Sequence, residues 1–507
     1  MKYSILFLFL IVCCLSSCDD ELDIPNPNQI TNESFWQDGI DAVQGVNACY
    51  STLHRPGFSR WQPMLYDLRS DVGTSNSPWS ELANAISRFI QPNSNFGPVV
   101  DVYVDNYVGI FRANQVIANV PGIDMDETLK QRVLGEAYFF RAMHYYHLAS
   151  LWGNVPLQLE PSTPADLPPN SPEAVVWAQV IEDLTLAAPN LPLRYSGADA
   201  GRITRGGALA LLGKAYMQIG DYGAAAGALE FFFSGEGANV YQLTEDYSDN
   251  FQIFTENNAE SVVEWWYADN PLEFTDQDTQ TPNHNFGTSL AQFYAPPGIG
   301  FTDGEALRWP ISEFEEERTL DDMRDPRLAA TYLYNFTNEA GPDATQIYGA
   351  SWTQRYGADN NRVFFRKFLN DHHKNEEGFR STNNYRFIRF ADVLLMYAEC
   401  LNELGRTAEA YQYVDRVRAR VNLPALSDVM PNLSQAEFLE QIKHERLLEL
   451  TGEGHRFNDL KRWGDLGPQL ADRDPAFNNF QIGKHELLPI PQSDLDINPN
   501  LTQNPNW

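Results

Sequence analysis

The sequence predicts a mostly α-helical fold: a scaffold of helical hairpins interrupted by one long loop-rich, aromatic-rich insertion, with few short strands. Apolar residues recur at helical spacings along most of 34–234 and 386–507. Two distant segments repeat one hairpin spacing. Gly213, Gly220 and Ala225 recur as Ala398, Gly405 and Ala410, at intervals of seven and five residues. Between them, residues 235–385 are rich in Gly, Pro, Asn, Asp and aromatic side chains, and helical periodicity fades.

A first helical stretch spans about Ser34 to Leu53, after the start signals Thr31, Asn32 and Glu33. A second runs from about Val100 to Val120 and stops at Pro121-Gly122. A third begins after Asp124 and reaches about Trp152. A fourth follows Ser171-Pro172-Glu173, with proline at a first-turn position. Arg205 to Phe233 then holds a hairpin, in which small residues at Gly213 and Ala225 let two antiparallel helices approach and Gly220 permits the turn. Asp392 to Arg420 forms a second. Both resemble the helix–turn–helix of a tetratricopeptide repeat. Their separation in sequence predicts scattered hairpins rather than a tandem array. Within the insertion, the run from Val262 to Tyr267 reads as a strand or a short buried segment. The remainder reads as loops laid over the helices, where binding residues concentrate.

At 507 residues with 43% hydrophobic and 21% charged side chains, the chain has a globular composition and can bury a large core without disulfide staples. Its net charge of -32 repels phosphate backbones, which argues against nucleic acid and favours neutral ligands. Of five cysteines, three lie in the first 18 residues, and Cys49 and Cys400 read as buried free thiols. No CxxC pair is present to build a zinc site.

The N-terminus reads as an address. Lys2 precedes an apolar run, Tyr3 to Ser16, too short to span a bilayer and suited to a secretory signal. Leu15-Ser16-Ser17-Cys18 resembles the lipobox of bacterial lipoproteins, which implies cleavage after 1–17 and lipidation of Cys18. Asp19, Asp20 and Glu21 resemble the surface-export signal of Bacteroidetes lipoproteins, although in other Gram-negative bacteria aspartate after the cysteine can mean inner-membrane retention. Residues 18–33 then form an extended tether through Ile24-Pro25-Asn26-Pro27-Asn28.

Several phrases are specific in combination. Phe140-Arg141-Ala142-Met143-His144-Tyr145-Tyr146 leads to Gly153-Asn154-Val155-Pro156-Leu157. Phe387-Ile388-Arg389-Phe390-Ala391-Asp392 opens the second hairpin. His444-Glu445-Arg446-Leu447-Leu448-Glu449-Leu450 runs into Glu453-Gly454-His455-Arg456-Phe457-Asn458-Asp459-Leu460-Lys461-Arg462-Trp463. The chain closes on Leu487-Leu488-Pro489-Ile490-Pro491, Asn498-Pro499-Asn500-Leu501 and Gln503-Asn504-Pro505. From lipobox to C-terminus the chain resembles the SusD/RagB family of outer-membrane lipoproteins. Read from the residues alone, Glu445, Arg446, Glu449, Glu453 and Arg456 stand three and four apart and predict a charge ladder along one helical face, structural rather than catalytic. Leu448 occupies the place where a zinc motif starting at His444 needs its second histidine. His372-His373 reads as a surface pair.

The resemblance implies four tetratricopeptide-like helix pairs with an elaborated loop side. It implies a lipid-anchored lid in the outer membrane, facing the exterior over a SusC-like TonB-dependent transporter, that binds oligosaccharides, or in some branches peptides, without cleaving them. The chain shows no P-loop, nucleophile elbow, dinucleotide fingerprint or calcium loop. A surface glycosidase stays open as an alternative, because carboxylates abound, and so does a helical-repeat adaptor. Neither a cofactor nor a metal is expected. Sugar binding needs aromatic rings for C–H faces and Asn, Asp, Arg or Gln for hydroxyls. Two segments supply candidates: Arg69, Asp71, Asn76, Trp79 and Asn84, and Tyr294, Trp309 and Trp352 in the insertion.

Overall fold

The structure, a computed structural model, describes residues 32–90, 94–269, 286–335, 346–357 and 361–507. The expected signal segment, Cys18, the acidic cluster and residues 18–31 of the expected tether lie outside them; its last two residues, 32 and 33, are not extended but open a helical turn, Asn32–Phe35. The described chain is a stack of helices joined by loops and short strand pairs. Its longer helices are α1 (Gly39–Tyr50), α2 (Gly97–Asn119), α3 (Glu127–Trp152), α4 (Glu173–Ala187), α5 (Arg205–Gln218) and α6 (Tyr222–Leu229). After the short α7 (Pro310–Glu315) come α8 (Phe390–Glu403), α9 (Thr407–Arg420), α10 (Gln435–Leu450) and α11 (Arg456–Trp463).

Most helices start and stop where local chemistry dictates. The expected first helix is broken in two, because the Asp38 carboxylate accepts from the Ile40 and Asp41 backbone and starts α1 there. Asp126 caps α3 through Leu129 N at 2.8 Å, and Gly153 ends it at φ +69°. Pro172 sits just outside α4, as its N-cap.

Consecutive helices pack on one another from α1 to α6, and α6 then packs on α8. The two repeat-like hairpins, α5–α6 and α8–α9, therefore adjoin in space despite their separation in sequence. The reason is a strand pair, β2 (Ser261–Trp265) with β4 (Tyr385–Arg389), which is antiparallel and closes the intervening loops into an excursion whose ends meet. In the first hairpin Gly213 lets the helices approach, but against Leu229 rather than Ala225: a Cβ there would lie 2.7 Å from the leucine side chain. Gly220 and Gly405 make the two turns at φ +76° and +74°.

One close approach fixes α2 on α3. A Cβ at Gly109 would lie 1.9 Å from His144 Nε2, and that imidazole is fully buried and bonded to Asn106 at 3.2 Å. Gly109→Ala is expected to lower stability by about 3 kcal/mol through overpacking, read as a shift in the urea midpoint with unchanged slope.

The charged residues of the C-terminal phrase are buried and do not form the intrahelical ladder that their spacing suggests. They reach outward instead, since a buried charge needs partners on every side. Glu449 accepts from Arg389 (2.9 Å), Arg420 (2.6 Å) and Arg327 (3.2 Å). Glu453 takes Lys367 and Arg389, each at 2.7 Å. Arg446 joins Asp392 and Asp459 at 2.8 Å, and Lys214 of α5 joins the same Asp392 at 2.7 Å. Arg327 and Lys367 come from the insertion, so this network bolts the loops to the helical stack.

Cys49 and Cys400 are free and buried. His372 and His373 are half-buried, not a surface pair: His372 Nε2 accepts from Ile253 N at 3.3 Å, and burial pushes its imidazole down to about 4. No described helix is long and apolar enough to cross a membrane.

Candidate ligand-binding face

Two candidate segments that are far apart in sequence are joined by a short antiparallel ladder, β1 (Gly73–Thr74) with β3 (Glu305–Ala306). Gly73 is needed because a Cβ would lie 2.5 Å from the Asp67 carbonyl. At one end of the ladder, the Ser77 hydroxyl donates to Asp303 and accepts from Trp79 N at 3.0 Å. This fixes the loop that presents Trp79.

Trp79 is 36% exposed and stands edge-on to Trp61 (5.8 Å) and Phe96 (5.0 Å). Trp61 meets Phe293 at 4.8 Å, Phe293 meets Phe301 at 5.3 Å, and Phe301 meets Phe379 at 5.7 Å. Arg60 lies over this row, 4.7 Å from Phe293 and 5.0 Å from Trp61, with Nε donating to Ser289 at 2.7 Å. Trp61 and Phe293 are buried, Phe379 is half-buried, and Trp79 and Phe301 (48% exposed) open to solvent. Phe301 is presented by the turn Pro296-Pro297-Gly298-Ile299-Gly300, where a Cβ at Gly300 would strike the Gln292 carbonyl at 2.4 Å.

Polar groups flank the rings. Asn76 donates to Glu305 at 3.1 Å and accepts from Arg88 at 3.0 Å. Arg88 also reaches the half-buried Asn84 at 3.5 Å. Burial raises the Asp303 carboxyl above its ordinary range, offset in part by Ser77. The face thus offers ring surfaces for sugar C–H groups beside amide and carboxylate groups for hydroxyls.

Four sequence candidates serve the framework instead. Tyr294 is buried because its hydroxyl donates to buried Asp67 at 3.0 Å. Trp352 is fully buried against Tyr356 and Phe364. Arg69 is buried over Phe457 and donates to the His485 carbonyl at 2.7 Å. Asp71 is buried between Arg456 (2.8 Å) and Arg473 (2.6 Å); burial alone would raise its carboxyl, but these guanidinium groups hold it below the usual range. Trp309 is half-buried at the far end of the ladder, away from Trp79. Arg60, Trp61, Phe293, Phe301 and Phe379 escaped the sequence reading. For Phe301 the turn-rich string before it was a usable signal; for Phe379 none existed.

Helices stacked in hairpins, loops tied to them by ion pairs and an aromatic row beside polar groups define a helical-repeat scaffold with a candidate binding face. The chain belongs to the SusD family, whose model matches residues 230–507. Residues 25–217 match a second model, "Starch-binding associating with outer membrane". A SusD-like protein of Formosa agariphila is 28% identical, with 98% of this chain and 97% of that one covered. The starch-binding protein SusD of Bacteroides thetaiotaomicron is 21% identical, with 97% and 96% covered. Among solved structures, a SusD superfamily protein of Bacteroides vulgatus superposes with a TM-score of 0.80 at 26% identity, covering 93% of this chain and all of that one. A laminarin-binding SusD-like protein superposes with a TM-score of 0.76 at 28% identity, with 93% and 100% covered.

Proposed function

We propose that this protein captures oligosaccharide or polysaccharide at the cell surface and delivers it uncleaved to a SusC-like TonB-dependent transporter in the outer membrane. The observation that carries this reading is the aromatic row with exposed Trp79 and Phe301, flanked by Asn76, Arg88 and Asp303. The laminarin-binding structural neighbour and the starch-binding relative support a saccharide as the ligand class. Lipidation at Cys18 and a tether along 18–33 would hold the binding face near the transporter.

The test is an affinity-gel screen of protein lacking residues 1–18 against plant, algal and microbial polysaccharides, with product analysis on each hit and a peptide pool alongside. Retardation with the polysaccharide recovered intact supports the reading. Retention of peptides alone transfers the site to peptide capture, and any cleavage product overturns the non-catalytic assignment. Trp79→Ala is expected to weaken binding of the retained polysaccharide by about 1–3 kcal/mol through loss of a ring platform, in a protein that still unfolds cooperatively. Cys18→Ala is expected to abolish fatty-acid labelling and to release the protein from washed outer membranes; retention of the variant would remove the lipid anchor from the proposal.

A further inference from the structure

The opposite end of the β1–β3 ladder holds a second aromatic site. There Leu307 N donates to the Val72 carbonyl at 2.8 Å and Trp309 Nε1 donates to the Asp71 carbonyl, so Trp309 lies past the end of the ladder opposite Ser77 and Asp303. Trp309 and Trp463, the latter at the end of α11, both line a cleft of about 530 Å³, with Leu447, Leu460 and Leu470 also in its lining. A space of this size lies within the range of small-ligand sites.

Both indoles are held rigidly. Trp463 Nε1 donates to Glu399 at 2.8 Å, with the Arg462 guanidinium 4.7 Å from its ring centre. Arg473 lies 4.3 Å from the Trp309 ring centre. The charges around the cleft are matched within the protein. Lys443 pairs with Asp465 at 2.8 Å and Glu440 at 2.9 Å, His444 with Glu313 at 3.2 Å, and Arg456 and Arg473 with Asp71. The remaining carboxylate, Asp472, is exposed at the rim. On a chain of net charge -32 such a charge-matched hollow favours a neutral, hydroxyl-rich ligand over an ionic one. Anchored indoles beside paired ionic groups that can share hydrogen bonds are what a pyranose ring requires.

We propose that the Trp309–Trp463 cleft is a second saccharide-binding site, separate from the Trp79 face and taking a neutral sugar unit. This rests on the saccharide reading of the protein as a whole.

The test labels the full set of tryptophans with 5-fluorotryptophan. The Trp79, Trp309 and Trp463 resonances are assigned from single Trp→Phe variants, and laminarihexaose, maltohexaose and cellohexaose are titrated while 19F spectra are recorded. The expected result is saturable movement of the Trp309 and Trp463 resonances that persists in the Trp79→Ala variant. Movement of Trp79 with Trp309 and Trp463 silent overturns the second site and leaves the first standing. Movement of Trp309 and Trp463 that disappears in Trp79→Ala overturns their independence. No movement at any of the three with any sugar overturns both sites. The wild-type spectra carry the test even if a cleft variant folds poorly.

Discussion

Glu449→Ala is expected to lower the stability of the protein by about 3–5 kcal/mol, the range for breaking a buried ionic cluster by removing one member. Burial alone would raise this carboxyl, yet the guanidinium groups of Arg420, Arg389 and Arg327 hold it well below the usual carboxylate range. All four side chains are almost fully buried. Without the carboxylate, three guanidinium groups face one another with less charge to balance them. Arg389 retains Glu260 and Glu453, and Arg327 retains Asp325 and Glu445, so the loss is large but not total. Because Arg327 belongs to the insertion while Arg389 and Arg420 belong to the scaffold, the loops should loosen first. Urea unfolding followed by tryptophan fluorescence measures the change, and hydrogen exchange locates it. A midpoint within error of wild type would mean that the network contributes little net stability.

The second large effect is a pH dependence. Burial works to lower the His444 imidazole, but hydrogen bonds to Glu313 and Glu317 prevail and push it up to about 9. The partners agree in direction: Glu313 is held below its ordinary range and Glu317 is pushed down to about 2. A histidine raised in the folded state binds its proton more tightly there than in the unfolded chain. Its contribution is therefore fully present below the unfolded value near 6.5 and is lost as pH rises through about 9. The size is about 3 kcal/mol. Lys367, pushed down to about 8 by burial, titrates nearby in pH, so the wild type alone does not isolate the effect. The difference in unfolding free energy between wild type and His444→Gln does. It should be largest below pH 6.5 and close as pH passes about 9. A difference that stays constant across this range would show that the imidazole is not charged in the folded protein. His444 joins α10 to α7, next to Trp309, so alkaline pH should also loosen the wall of the second cleft.

What could be read from the chain, and what could not, follows from the range of the forces involved. The class of fold and most helix positions were set locally. Asp126, Thr204 and Asp221 cap helices within their own sequence neighbourhood, and Gly153, Gly220 and Gly405 end them. Periodicity placed the apolar faces, because burying a stripe is a local geometric matter. The family was also decided by the sequence, through phrases now seen to be packing and ionic contacts.

Only the tertiary structure decided partnership. The five charged residues of the C-terminal phrase looked like one helical ladder, yet each finds its partners elsewhere, as in Glu453 with Lys367 and Arg456 with Asp71. Spacing reports which residues share a face, not what covers that face. The same limit explains the site. Trp79, Trp309 and Trp352 are equivalent as letters, and long-range packing alone left one partly exposed, set one in the lining of a separate cleft and buried one in the core. The aromatic row itself gathers rings at 61, 79, 293, 301 and 379, which no local pattern could associate. Sequence fixes where a ring can be; the fold fixes whether water, or a sugar, can reach it.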